Sequence, residues 1–235
     1  MIGEIKYPIF REQKQLSCHS LWKPTAEVSI ERRREFLQYL DLLFTGDGSG
    51  GEKHVVYAQQ VHGNKVLTVP SAGLYSDCDG LATGKSHLKL IIRTADCAAV
   101  MLFHPGKKLI ANLHVGWRGA QQKMIHHGIH LMMQEWRVQP QDLLATVSPF
   151  IQSCCYEVGN EFYDYFDHHL LIRRKDKIYF DLQSCIREQL IEAGIHNDRL
   201  EISTTCTCCS TLGLPSYRRD KTLNRLINMI EIRGE

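Results

Sequence analysis

Nowhere does this chain hold an uncharged apolar stretch of the roughly 20 residues that a membrane-spanning helix needs. Its start, MIGEIKYPIFREQKQ, contains no apolar run of signal-peptide length. Both absences point to a cytoplasmic protein with no membrane partner. Charge of one sign is missing too. The formal net charge is +2, too near neutrality to imply nucleic acid as a general partner. There is no internal repeat, no low-complexity tract, and no glycine-rich phosphate loop of the Walker or dinucleotide type.

What remains is an ordinary globular composition, 43% hydrophobic and 23% charged, over 235 residues. That length suffices for one large domain or two small lobes around a shared core. Nine cysteines without an export signal stay reduced, so they read as core residues, metal ligands or nucleophiles rather than disulfides. For each one the default is an inert core thiol.

The loop GDGSGGEK (46–53) separates an N-terminal part (1–45) from a motif-bearing part (54–235). Before it, IERRREFLQYLDLLF has helical spacing of apolar residues. After it come short β-like runs: HVVYAQQV, KVLTV, KLIIR, AAVMLF and KLIANL, the last two joined by a His-Pro-Gly-Lys turn that fits a hairpin. From Ala120 to Trp136 the apolar residues Ile125, Ile129, Met132, Met133 and Trp136 predict a helix. DLLATVS, KIYFDL, RLEIS and RLINMIEI read as further strands, and SCIREQLIEAGI as a helix ending at Gly194. Hairpin-linked strands with interspersed helices predict an α+β fold with mixed β-sheets and flanking helices.

Three β-like runs lead into a metal-competent side chain: VVYAQQV into His62, LIIRTAD into Cys97 and LIANL into His114. Two imidazoles and a thiolate can hold zinc and leave a fourth position open, the pattern of catalytic sites. Their separations are too long for any local spacing rule, and a lone histidine or cysteine at a strand end is more often simply packed. His126 and His130 share a helix face but lack a carboxylate partner, so they are expected to face solvent. Cys206 and Cys209 form a Cys-x-x-Cys around Cys208, half of a structural zinc site or a redox pair. No second Cys-x-x-Cys exists, and adjacent Cys154-Cys155 make an awkward other half. The expectation is that Cys206 and Cys209 bind no metal. The arginines of SYRRD (216–220) can hold a phosphate, although an exposed ion-pair cluster accounts for them as well.

Together, QVHGNKV, DCDGLAT, RTADC, HVGWRG, SCCYEVG, YFDL, CT, and SYRRDKT followed by NR resemble the YfiH-like family, also called laccase-domain or polyphenol-oxidase-like proteins. Members are described as purine nucleoside phosphorylases. The resemblance runs from Gln60 to the C-terminus, within a single domain spanning 1–235. It implies a zinc site (copper possible) formed by His62, Cys97 and His114, which are also the catalytic residues. It implies a cysteine-hydrolase-like architecture of the cytotoxic necrotizing factor type. It further implies phosphorolysis of adenosine, inosine and methylthioadenosine, with deamination of adenosine, so that purine nucleoside and phosphate are the partners. Some bacterial members are linked instead to removing mis-made peptidoglycan precursors. The chain departs from the family pattern at Val115, Ala98-Ala99, Ser148-Pro149-Phe150, Pro215 and Asn224. Phe150 is expected to add bulk if its turn faces the pocket.

Within that picture Gly116 and Gly119 let the chain pass close to a metal, and Trp117 packs beside it. Arg118, with Arg218 or Arg219, offers phosphate a bidentate fork. Asp96 or Glu157 carries a proton or orients a ligand. Three alternatives stand beside it. Cys97 can be a hydrolase or transferase nucleophile with His114 as its base. A copper oxidase needs more ligands than these three. A non-catalytic binding module follows if the departures close the pocket.

Overall fold

In the computed structural model, residues 3–22 and 54–234 are described. The helix expected over 30–44 and the loop 46–53 lie outside them.

The centre of the molecule is the hairpin that the two longest apolar runs predict. Strand β8 (Ala98–His104) pairs antiparallel with β9 (Leu109–Val115), in register from Ala98 opposite Val115 to His104 opposite Leu109. Every residue of both strands is buried, which is why the runs are continuously apolar rather than alternating. Side-chain alternation then divides β8 between two cores. Ala98, Val100 and Leu102 join a cluster with the helices, and Ala99, Met101 and Phe103 join a cluster against a second sheet.

The hairpin is the middle of a six-stranded mixed sheet. On one side β10 (Leu144–Val147) runs antiparallel to β8, with β14 (Leu200–Ile202) parallel at the edge. On the other side β6 (Gly80–Thr83) pairs antiparallel with β9 and carries β4 (Val66–Thr68) in parallel. The facing six-stranded sheet has the order β1 (Gly3–Lys6), β2 (Leu16–Trp22), β15 (Leu226–Ile232), β7 (Lys89–Thr94), β3 (Val55–Ala58), β5 (Gly73–Tyr75). The N-terminal strands are thus integral to the fold, since β2 pairs with β15 over six residues, from Leu21 opposite Ile227 to Leu16 opposite Ile232. A buried amide bridges the sheets. Asn112 Nδ2 of β9 donates to the carbonyls of Leu90 and Asn228, at 3.0 and 2.9 Å.

Helices cover the outer face of the hairpin sheet. The helix expected from Ala120 to Trp136 is in fact two, α1 (Trp117–Gln121) and α2 (Met124–Trp136). Lys123 stands between them in the left-handed region (φ 58°), which breaks the run. Along α2, Met124, Ile125, Ile129 and Met132 are buried, whereas Met133, expected in the same stripe, is exposed. Helix α3 (Leu182–Glu192) starts at Asp181, whose carboxylate accepts the Ser184 amide at 3.0 Å, an N-cap that satisfies an orphan donor. It stops before Gly194 (φ 97°). A short helix, α4 (Tyr217–Asp220), and a small antiparallel sheet of β11 (Glu157–Val158), β13 (Lys177–Phe180) and β12 (Leu171–Arg174) complete the frame. No helix among the described residues is long and apolar enough to cross a membrane.

Candidate active site and metal centre

Asp79, one residue before β6, is fully buried at the end of the hairpin sheet. Its carboxylate accepts the His114 Nδ1 proton at 2.7 Å. It also accepts the backbone amides of Val61 (3.1 Å), His62 (3.0 Å) and Gly63 (2.8 Å). Burial opposes charge on Asp79, but the bonds from His114 and these amides outweigh it and hold the carboxyl below its usual range. One ionised side chain therefore orients the His114 ring and pins the loop that presents His62, which adopts a left-handed backbone (φ 62°). Sequence reasoning had placed DCDGLAT in a motif and assigned Asp79 no role. A carboxylate beside a glycine looks like a turn residue until its burial is known.

His62, Cys97 and His114, the three residues singled out from strand ends, converge. Their ligand atoms all lie within 4.8 Å of one another, and the two imidazole rings stand 5.0 Å apart. His114 lies within β9 near its end, and Cys97 in the turn between β7 and β8. Gly116 is needed here for space: a Cβ at that position would stand 2.7 Å from the Cys97 sulfur. Burial alone would push the Cys97 thiol up, yet His114 and His62 bring it down to about 6. Burial likewise works against charge on His114, but Cys97 and Asp79 raise it to about 9. Without a metal the pair is a thiolate and an imidazolium at neutral pH.

These groups lie in a cleft of about 520 Å³, within the range of small-molecule sites. Four guanidinium groups line it: Arg93, Arg118, Arg218 and Arg225. Trp117, Tyr156 and Tyr217 supply aromatic surface, and the Arg118 guanidinium lies 4.2 Å from the centre of the Trp117 ring. Gln60 positions part of the wall by exchanging two 2.9 Å hydrogen bonds with the Arg93 backbone, which extends the pairing of β3 and β7. Arg93, Arg225, Gln60, Tyr156 and Tyr217 were absent from the sequence-derived set. All five nonetheless lie in the motifs that carry the family resemblance: Gln60 in QVHGNKV, Arg93 in RTADC, Tyr156 in SCCYEVG, Tyr217 in SYRRDKT and Arg225 in the NR that follows.

The other expected residues divide. Arg118, Arg218 and Asp96 line the cleft. Asp96, in the left-handed region at φ 88°, is already engaged: its carboxylate accepts Thr207 Oγ1 at 2.7 Å and the Arg218 amide at 2.6 Å. It ties α4 to the Cys97 turn. Arg219 turns away from the cleft, donating to the carbonyls of Thr207, Cys208 and Leu214 and pairing with Asp220. Glu157 pairs with Lys177 at 2.8 Å on the surface. Phe150, expected to crowd the pocket, is buried in the helical core, so the cleft stays open. Asn64 braces the His62 loop by donating to the Gln122 carbonyl at 3.2 Å.

The decoys also divide. His130 is exposed as expected, while His126 is half-buried, 3.7 Å from Glu192. The view of Cys154-Cys155 as an awkward partner for Cys206 and Cys209 is corrected. The fold brings all four sulfurs within 4.8 Å of one another, because Phe150 and Cys206 form a parallel bridge between their segments.

Residues 42–233 match the family model described as multi-copper polyphenol oxidoreductase laccase. The chain is 34% identical to a purine nucleoside phosphorylase of Aquifex aeolicus over 183 residues, covering 77% of this chain and 84% of that one. It is 30% identical to a purine nucleoside phosphorylase of Clostridium acetobutylicum over 185 residues, 76% of this chain and 77% of the other. Among solved structures it resembles YlmD of Geobacillus stearothermophilus with a TM-score of 0.86 at 23% identity, over 97% of this chain and 94% of that one. The order of motifs, the mixed double sheet and these likenesses agree: the chain belongs to the laccase-like YfiH family.

Proposed function

We propose that the protein is a metal-dependent purine nucleoside phosphorylase acting on adenosine, inosine and methylthioadenosine, with adenosine deaminase activity at the same centre. The observation that carries this reading is the convergence of His62, Cys97 and His114 in a cleft lined by Arg118 and Arg218, in a chain whose relatives are named purine nucleoside phosphorylases. The donor set fits a metal: two imidazoles and a low-lying thiol, with Asp79 on His114 Nδ1 leaving Nε2 as the ligand atom. Zinc suits that set, and copper is a second candidate occupant. Among the described residues the cleft offers a single group of three ligands, too few for a multi-copper centre. When bound, the ion supplies Lewis acidity to the open cleft.

The chain's own residues do the rest. Trp117, Tyr156 and Tyr217 offer faces for a purine to stack on. Arg118 and Arg218 receive phosphate and hold it against the ribose. Burial pushes the Tyr156 phenol up, so it keeps its proton and remains a hydrogen-bond donor to the departing base. Asp96 positions Arg218 rather than moving a proton, since both its oxygens are engaged.

A second reading has its own support. Cys97, His114 and Asp79 also have the composition of a thiol triad with a depressed thiol, as in the cysteine-hydrolase-like architecture. One experiment separates the two. Zinc-loaded protein incubated with inosine and phosphate should yield hypoxanthine and ribose 1-phosphate in equal amounts, and chelation should abolish this. Metal-loaded protein that releases no base from any of the three nucleosides would sink the proposal. Activity that survives chelation but disappears on alkylation of Cys97 would favour the thiol reading.

A further inference from the structure

Away from the cleft, four cysteines that the site does not use stand together. The sulfurs of Cys154, Cys155, Cys206 and Cys209 lie within 4.8 Å of one another, and those of Cys154 and Cys209 are 3.6 Å apart. A disulfide requires about 2.05 Å, and all four are free thiols. Four sulfurs bound to one zinc at about 2.3 Å stand roughly 3.8 Å from each other. The cluster therefore has nearly the size of a closed tetrahedral site.

We propose that Cys154, Cys155, Cys206 and Cys209 form a second metal site, a tetrathiolate zinc centre that clasps the two turns framing the cleft.

The Cys206 sulfur accepts the Gln152 amide at 3.4 Å, which ties the segment carrying Cys154 and Cys155 to the Cys-x-x-Cys turn at the sulfur itself. A zinc ion with four thiolates carries two net negative charges, and two guanidinium groups hold the same turns. Arg174 donates to the Ser153 carbonyl at 3.1 Å, and Arg219 to the carbonyls of Thr207 and Cys208 at 3.0 Å. Sulfur-only tetrahedral ligation selects zinc or an iron–sulfur cluster, and one compact quartet around a single centre fits one zinc. Cys154 and Cys209 are exposed, so an ion can enter from solvent.

The placement gives the centre a task. Cys155 precedes Tyr156, which lines the cleft, and Thr207 holds Asp96, which in turn holds the amide of Arg218. A clasp at the four sulfurs fixes both walls without touching substrate. The proposal is independent of the purine chemistry and stands or falls without it.

Zinc content by elemental mass spectrometry tests it. The wild type, His62→Ala/His114→Ala and Cys154→Ser/Cys209→Ser are compared after purification under reducing conditions. The cleft variant should retain about one zinc per chain, and the cysteine variant should hold about one less than the wild type. Cobalt(II) added to the metal-stripped cleft variant should give the intense visible bands and thiolate charge transfer of a four-sulfur site. If the cleft variant does not fold, the cobalt difference spectrum between wild type and Cys154→Ser/Cys209→Ser decides instead. Folded protein in which the quartet takes up neither zinc nor cobalt overturns the proposal. So does recovery of Cys154 and Cys209 as a disulfide from a reducing cytosol.

Discussion

His114 and Asp79 meet at 2.7 Å, both buried, and the same carboxylate gathers three amides of the loop that presents His62. Two histidines from distant parts of the chain, both proposed metal ligands, thus share one orienting anion. Asp79→Asn keeps the size but removes the charge and leaves an amide NH₂ facing N–H donors. Zinc affinity, measured by chelator competition, should fall about 10- to 100-fold, the usual cost of losing such a partner. Unchanged affinity would mean that the histidines are held by packing alone.

The protonation of the metal-free site predicts a pH dependence. Cys97, held at about 6, is already ionised at pH 7, whereas His114, raised to about 9, still carries a proton. Zinc must displace that proton, so affinity should rise about tenfold per pH unit between those two values and level off above the upper one. Alkylation of the stripped protein at Cys97 should be half-maximal near pH 6 rather than at the roughly 8.5 of an ordinary thiol. A flat affinity profile would show that the thiolate–imidazolium pair does not form.

Gly116→Ala places a methyl group 2.7 Å from the Cys97 sulfur. The backbone there is extended (φ −91°, ψ −175°), which alanine adopts freely, so the damage should be local. Metal content should drop while the thermal midpoint moves by only a few degrees. A variant that keeps its metal would show that the Cys97 turn can give way.

Arg118→Ala removes a proposed anion contact and leaves the ligands in place. The phosphate KM should rise about 10- to 100-fold, since a charge-assisted hydrogen bond contributes about 1.5–3 kcal/mol. Deamination uses no phosphate and should change little. Equal loss of both reactions with metal still bound would mean that Arg118 shapes the cleft through Trp117, on which it lies.

Local pattern carried a good part of this molecule. The runs around Val100 and Ala111 are continuously apolar because both faces are covered, and the His104–Lys107 turn closes them as expected. His62, Cys97 and His114 were legible because each follows a β-like run, although nothing local said that they meet. What failed to show is what long-range pairing decides. Cys154 and Cys206 are brought together by the Phe150–Cys206 bridge, across an intervening small sheet and helix. Asp79 and Arg93 acquire their places through parallel neighbours, β4 beside β6 and β3 beside β7, whose partners no short window contains. The break at Lys123 was hidden because a left-handed residue without glycine leaves no signal in hydrophobic spacing.

Strand β15, near the far end of the chain, sits between β2 and β7 in the middle of its sheet. During synthesis the ribosome must therefore release residues 226–232 before the sheet exists as one piece. Until then β2 and β7 each present an unpaired apolar edge, and Asn112 lacks its contact with Asn228. Arg225, on the cleft wall, arrives in the same final segment. Folding of this half thus waits on the last-made of its strands, and a nascent chain stalled short of Leu226 is a client for chaperones rather than a partly working protein.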